Sequence, residues 1–376
     1  MREPVEARRR RVLDIVGSRG TVRVSDLAAE LNVSVVTVRR DVEELAHDGR
    51  LRRGHGVARS VDPASAEDAG AAGRAVEEPT VEGLTVALVV PARHIYLHEI
   101  LHGARRVLEG AGVRVALHVA PQTPGAERPM VADALAGGAH GLLIAPKWRS
   151  AAAEEADSGW LGRVAVPTVL MERRPGAGGA LHALDSVCTD HWYGTRLAVD
   201  HLVGLGHRRI VLAARDDSPT ARAVRSAFAE IAAARPEVAD WSVVLSSPDA
   251  GPDYPPDESG GPIDLAALLA ERRATAAVLH GDIEALLLTQ QLNSRGVRVP
   301  RDCSVVSYDG TVARLGSTPL TSVAAPRAEI GEAAAELLLR RLRAPAGAGR
   351  QPVRRLELLP ELQVRGSTER LDRTTD

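Results

Sequence analysis

Two stretches of this 376-residue chain place reactive residue types at spacings that could do chemistry. The first is HEILH, His98 to His102. On a helix its two histidines share one face at i and i+4, the arrangement that binds zinc in metallopeptidases with the glutamate as base. His94, at the preceding turn, keeps metal binding open. No obvious motif places a third ligand, and a chain this long meets the pattern by chance at a rate of roughly a few per cent. A zinc-dependent hydrolase is therefore the minor alternative, and no catalytic residue, metal or cofactor is expected. There is also no G-x-S-x-G, no P-loop and no G-x-G-x-x-G after a strand, so the expectation is a protein that is not an enzyme. The second stretch is VSVVTVRRDVEEL, Val33 to Leu45. At helical spacing Val35, Val38, Val42 and Leu45 turn inward. Val36, Thr37 and Arg40 turn outward, with Arg39 at the shoulder. Arginine can pair bidentately with guanine, and a valine or threonine methyl can meet a thymine methyl. Such a face suits duplex DNA.

Those residues need a scaffold, and the flanking sequence supplies one. A first helix is expected from about Val5 to Gly17, with Val5, Val12, Ile15 and Val16 inward. Thr21–Val24 reads as a short strand. Ser25 can cap a second helix with Leu27, Ala28 and Leu31 inward, and Ser34 can cap the third. Leu51–Arg53 and Gly56–Ala58 read as a hairpin turning through Gly54, His55 and Gly56. That order is a winged helix-turn-helix over residues 1–58. The N-terminal part of its third helix meets base edges in the major groove, and Ser34 with the free amides beside it suits a phosphate. Arg52, Arg53 and His55 would lie along the DNA backbone or minor groove. Charge agrees: residues 1–60 hold 13 arginines against nine acidic residues, although the whole chain carries a net charge of −2. A basic head on an acidic body suits a nucleic-acid partner. Arg8–Arg11 could instead be only a solvated helix face.

The remainder reads as a linker over residues 59–82, a body over 83–367 and a short tail over 368–376. The linker is rich in Ala, Gly, Glu and Pro and has no apolar period. In the body, apolar runs alternate with helical stretches: LTVALVV, VRVALHV, GLLIAP, PTVLME, SVCTD, RIVLAA, TAAVLH and CSVVSYD. This alternation predicts an α/β fold with mostly parallel sheet, whose ligands sit at the C-terminal strand ends. Ser246–Pro262 reads as a surface loop. Aromatics make up only 2% of the chain, yet Tyr96, Trp148, Trp192, Tyr193 and Tyr308 fall just after or at the ends of predicted strands. Rings beside Asp190, Arg225, Asp282 and Asp309 would suit a sugar, stacked on its apolar face and hydrogen-bonded at its hydroxyls. Cys188 and Cys303 are too few and too distant for a disulfide framework or cysteine zinc site. The first residues lack a signal-peptide pattern, and no apolar run reaches the roughly 20 residues that span a membrane. A cytoplasmic protein without a membrane partner is expected.

Two resemblances sharpen this. VRVSDLAAELNVSVVTVRRDVEELAHDGRLRRGHGVA resembles the DNA-binding domain of DeoR-type bacterial regulators, most specifically in Ser-x-x-Thr-Val-Arg-Arg-Asp-Val. AVDHLVGLGHRRIVLAA, VPRDCSVVSYDG and PLTSVAAPRAEIGEAAAELLLRRL resemble the effector domain of LacI-type regulators, which shares the two-lobed fold of periplasmic sugar-binding proteins. The second resemblance implies that Asp190, Asp282 and Asp309 contact ligand, and that PARHIYLHEI is the first ligand loop, with Tyr96 and Leu97 in place of the family's aromatic pair. Arg225 or Arg222 would stand for its ligand arginine, although the register to Phe228 is off by one. No hinge-helix sequence is seen in the linker. Together the resemblances imply a ligand-responsive transcription factor. It is expected to be a repressor, to bind duplex DNA as a homodimer or higher homo-oligomer, and to answer to a small sugar-like effector. A phosphorylated sugar is the alternative effector, with Lys147 and Arg173 as its contacts. A sugar-binding module without regulatory function is disfavoured by the head.

Overall fold

The computed structural model describes residues 5–54, 57–60, 80–92, 95–176, 178–247, 262–344 and 351–371. The chain divides into two units, residues 1–77 and 78–376.

The first unit comprises α1 (Val5–Arg19), β1 (Thr21–Arg23), α2 (Val24–Glu30), α3 (Val35–His47), β2 (Arg52–Gly54) and β3 (Val57–Arg59). The three strands form an antiparallel sheet in the order β1-β3-β2. Val12, Val16, Leu27, Leu31, Val38, Val42 and Leu45 make one buried core. This is the winged helix-turn-helix expected, with local differences. Val35 and Val5 are exposed, because each opens its helix beyond the reach of this small core. α2 starts at Val24, so Ser25 lies inside its first turn and is not its cap; its hydroxyl bonds Asp26 instead. Arg8 and Arg9 are not a merely solvated face: both reach the buried Asp41 on α3. The turn residue His55 and nearly all of the linker lie outside the described residues, as does most of the Ser246–Pro262 loop.

The second unit runs β4 (Thr85–Pro91), α4 (Leu97–Gly110), β5 (Arg114–Ala120), α5 (Glu127–Ala136), β6 (Gly141–Ile144), α6 (Ala151–Leu161), β7 (Thr168–Met171) and β8 (Asp185–Thr189). It continues with α7 (His191–Gly204), β9 (Arg209–Ala214), α8 (Pro219–Ala233), β10 (Asp240–Leu245), α9 (Leu265–Arg272), β11 (Ala276–His280), α10 (Asp282–Ser294) and β12 (Ser304–Asp309). It ends with β13 (Thr321–Ala324), α11 (Arg327–Leu342), β14 (Arg355–Leu358) and β15 (Glu361–Gln363). Two six-stranded sheets result, ordered β14-β8-β7-β6-β4-β5 and β10-β9-β11-β12-β13-β15. Every pairing in them is parallel except β13 with β15. The continuous Val/Leu/Ala runs of the central strands follow from burial on both faces. Each sheet has an apolar cluster on either side.

The two sheets define two lobes, and the chain crosses between them three times: from β8 to α7, from β13 to α11 and from β14 to β15. At the crossings the Asp190 amide donates to the Leu358 carbonyl at 2.9 Å. In the first lobe α11 lies so close on α4 that only glycine fits. A Cβ on Gly103 would stand 2.1 Å from the Ala328 carbonyl oxygen, and one on Gly331 would stand 1.9 Å from that of Ile100. β10, β13, β14 and β15 were not among the expected strands. β10, β14 and β15 are edge strands with partly exposed and polar residues, while β13 is a four-residue strand of which half, Thr321 and Ser322, is polar. Residues 368–371, set apart as a tail, are bound to the body. The Thr368 hydroxyl meets His201 and Thr321, and the Leu371 amide donates to the Leu205 carbonyl.

Candidate functional site

In the head, Ser34 caps α3, its hydroxyl accepting from the Thr37 amide at 3.1 Å. The Ser34 and Thr37 hydroxyls also meet at 2.8 Å. This fixes the start of the helix. Val36 stands 74% exposed beside the exposed Arg39 and Arg40, with Thr37 half-buried. From below, Asp41 locks the same helix to α1. Its carboxylate accepts from Arg8 at 2.6 and 3.1 Å and from Arg9 at 3.3 Å, and Arg9 also pairs with Glu44. One face of α3 is thus anchored by apolar packing and a buried carboxylate, and the other offers arginines and methyls to solvent. Arg52 and Arg53 lie on β2 of the wing.

In the body a cavity of about 340 Å³ opens between the two lobes. Its walls are the C-terminal strand ends. The first lobe supplies Tyr96 after β4, Gln122 after β5, Lys147 after β6, and Glu172 and Arg173 after β7. The second supplies Arg215 and Asp217 after β9, His280 and Asp282 around the end of β11, and Asp309 at the end of β12, with Glu284 beyond. Of the residues singled out in the sequence, Tyr96, Asp282 and Asp309 line the cavity, as do Lys147 and Arg173.

Trp148, Asp190 and Arg225 do not line it. Trp148 is buried in the first lobe, its indole N–H donating to Asp157 at 2.9 Å. Asp190 caps α7 through the Tyr193 amide at 2.8 Å. Arg225 reaches the Val244 carbonyl and stands 3.9 Å from Asp216. Trp192 and Tyr193 are exposed on α7 and Tyr308 is buried, so Tyr96 is the one Phe, Tyr or Trp among the cavity's described walls.

Glu172 and His280 escaped sequence reasoning. The Glu172 carboxylate is 2% exposed, and its Oε1 accepts from the Tyr96 hydroxyl at 2.9 Å and the Thr189 hydroxyl at 2.7 Å. Its Oε2 has no hydrogen-bond partner, and His191 Nε2 stands 3.6 Å away. Burial works against this carboxylate, yet His191 opposite and the Thr189 and Tyr96 hydroxyls hold its pKa below the usual value. His280 is 6% exposed and neither ring nitrogen has a partner. Burial pushes its pKa down to about 4, so the ring is neutral at physiological pH. Glu172 and Asp309 also adopt positive φ without being glycine, at +52° and +131°. Such backbone costs of order 1–3 kcal/mol and concentrates at binding sites. The usable signal in sequence was position alone: both Glu172 and His280 end apolar runs.

One oxygen of Asp282, Oδ2, is occupied by the Val312 and Ala313 amides at 2.7 and 2.9 Å, while Oδ1 has only the Gly310 amide at 3.4 Å. Burial, with Asp282 and Glu284 nearby, drives the Asp309 pKa well up. Asp217 is gripped by Arg215 at 2.8 and 3.0 Å, which outweighs its burial and lowers its pKa. Across the cleft it faces Lys147 and Arg149, each at 3.8 Å. Beside this contact Arg222 donates to the Trp148 and Arg149 carbonyls at 3.2 and 3.0 Å. The stretch HEILH lies on α4 with both histidines and Glu99 exposed, and Glu99 pairs with Arg327 at 3.0 Å. Among the described residues no cluster of three or more His, Cys, Asp or Glu could hold a metal; His94 lies outside them.

The body is thus a two-lobed α/β domain with a cleft at its strand ends, and the head is a winged helix-turn-helix. Comparison with known proteins agrees. Residues 8–64 match the model of the DeoR-like helix-turn-helix domain, and residues 199–368 that of the periplasmic binding protein-like domain. The chain thus joins a region similar to the DeoR-like helix-turn-helix domain to a body whose residues 199–368 are similar to periplasmic binding protein-like domains. The arabinose metabolism transcriptional repressor of Geobacillus stearothermophilus is 26% identical over 362 residues, covering 92% of this chain and 90% of that repressor. The transcriptional repressor PurR of Glaesserella parasuis is 29% identical over 212 residues, 55% of this chain but only 59% of PurR. Among solved structures, a LacI family regulator from Enterococcus faecium with bound ribose superposes with a TM-score of 0.59 at 23% identity, covering 77% of this chain and all of that one. The lac repressor dimer bound to operator and an anti-inducer gives 0.60 at 22%, covering 76% and 94%. None of these similarities is to a hydrolase. Among the described residues no helix is long and apolar enough to cross a membrane.

Proposed function

We propose that this protein is a cytoplasmic repressor that binds its operator through the head and changes operator affinity when a small polyhydroxylated effector occupies the cleft. The observation that carries the reading is the solvent-facing start of α3, where Val36, Arg39 and Arg40 project from a helix fixed by the Ser34 cap and the Asp41 anchor. Val36, Thr37, Arg39 and Arg40 read the major groove, Ser34 meets a phosphate, and Arg52, Arg53 and His55 lie along the backbone or minor groove. In the cleft Tyr96, Asp282 and Asp309 belong to the effector site, whereas Trp148, Asp190 and Arg225 do not line it. A homodimer fits the operator symmetry that helix-turn-helix proteins use. The exposed Leu287 on α10 and Leu117 and Val119 on the edge strand β5 offer apolar surface for it. The reading assigns no enzymatic role.

The test is operator binding by fluorescence anisotropy, with the operator selected from random duplexes. Arg40→Ala should cost about 1–3 kcal/mol and relax specificity at one base pair, whereas Arg53→Ala should weaken binding evenly across sequences. Full operator affinity in the double variant would overturn the assignment of this face to DNA.

A further inference from the structure

The cleft is richer in acceptors than in free cations. Among the described residues three cationic side chains line it against five carboxyl groups, of which Asp309 has its pKa driven up, and the cations already have partners. Arg215 spans Asp217 and Glu284. Arg173 donates to the Pro146 and Glu172 carbonyls, and Lys147 donates to Gln122 at 2.6 Å while facing Asp217. An anionic ligand would have to break these pairs and approach surplus carboxylates in a low-dielectric site, where like charges repel strongly. What the cleft leaves unsatisfied is of another kind. Glu172 Oε2, which faces His191 Nε2 at 3.6 Å without a hydrogen bond, can only accept, and the neutral His280 ring offers one donor and one acceptor. Buried polar atoms without partners cost free energy, and a ligand that pairs them recovers it. Among small-molecule groups a hydroxyl meets both needs, because it donates and accepts.

Building on the effector reading above, we propose that Glu172 and His280 are specificity-determining residues that read hydroxyls of a polyol with no anionic group, one from each lobe. A ligand hydroxyl donates to Glu172 Oε2, and another pairs with the His280 ring. The same requirement excludes the phosphorylated sugar that Lys147 and Arg173 had suggested. A ligand pinned at both residues also ties the lobes together, so discrimination and closure use the same contacts.

The probes are matched sets: free pentoses, hexoses and disaccharides, the phosphate ester of each, and the corresponding sugar acids. They are screened by thermal shift on the full chain and followed by calorimetry. The expected result is binding by an uncharged member at least tenfold tighter than by its phosphate or acid. His280→Ala and Glu172→Gln should each then weaken that sugar at least tenfold while the melting temperature without ligand shows a folded protein. Should Glu172→Gln fail to fold, His280→Ala and His280→Phe carry the test. A phosphate or acid that binds tighter than its parent, or unchanged affinity in the His280 variants, would overturn the inference and leave the sugar-sensing function intact. Failure of every member, charged and uncharged, would instead remove the sugar-effector reading on which the inference rests.

Discussion

Burial makes His280 a titration probe of the body. An unfolded histidine protonates near pH 6.5, whereas in the fold His280 holds out to about 4. The unfolded chain therefore takes up the proton first, and stability falls as pH drops through that window. His201 and His207, also held down by burial, act with the same sign. Asp309 acts oppositely, because its raised pKa lets the folded chain take the proton first. Glu172, Asp185 and Asp217 are held below the carboxylate range, so their losses begin only below about pH 4.5. Urea unfolding between pH 6.5 and 5 should show His280→Gln flattening the decline by up to about 2 kcal/mol relative to the parent. An unaltered slope would mean that this imidazole is not buried neutral. At this scale the sequence was partly legible. Asp282 and Asp309 follow apolar runs in motifs with family precedent, and Tyr96 ends the first strand's loop. Glu172 and His280 were missed because nothing in the letters MER or LHG reports burial or an unpaired atom. Trp148 and Asp190 were misleading because a tryptophan after a strand and an aspartate before a helix serve packing and capping equally well.

The elements were easier to read, because period and punctuation are local. Eight of the body's strands are apolar runs that end in polar loops, and the three head helices follow their apolar spacing. What period could not reveal is which helices touch. The contact of α4 with α11 joins residues far apart in sequence through two glycines, and glycine inside a helix ordinarily signals only lost propensity. Here it permits backbone-to-backbone approach. Gly331→Ala would drive a methyl into the Ile100 carbonyl oxygen, which stands 1.9 Å from the ideal Cβ position. The helices must part, and overpacking of this kind costs typically 1–3 kcal/mol and occasionally more. The gain in helix propensity is at most about 1 kcal/mol. Gly110→Ala on α4, where nothing lies within 4 Å of the added Cβ, is the control. Chemical denaturation should show a net loss for Gly331→Ala that Gly110→Ala does not share. Equal stability in the two variants would show that the crossing has room to relax.

At the scale of the whole body, the contacts across the cleft decide how strongly an effector is felt. Arg222 was a candidate ligand arginine in the sequence, with its register already off by one. It is instead a clamp from the second lobe onto the Trp148 and Arg149 carbonyls of the first. Asp217 completes the clamp by facing Lys147 and Arg149. These bonds exist only when the lobes are together, so they favour the closed arrangement without touching a ligand. An effector that binds the closed form has an apparent dissociation constant equal to its intrinsic one divided by the closed fraction. Arg222→Ala removes two charge-assisted hydrogen bonds. After the loss is shared with water, a shift of about 1–2 kcal/mol toward the open form is expected. Calorimetry should therefore read an effector affinity weakened roughly 5- to 30-fold. Small-angle scattering of the ligand-free variant should show a larger radius of gyration than the parent. The effector's influence on operator affinity is bounded by its preference for one state over the other, typically 1–3 kcal/mol. Saturating effector should thus restore the parent's operator response, because the variant alters the starting population and not the contacts that distinguish the states. Unchanged effector affinity together with unchanged scattering would mean that the clamp forms as a consequence of closure and contributes nothing to it.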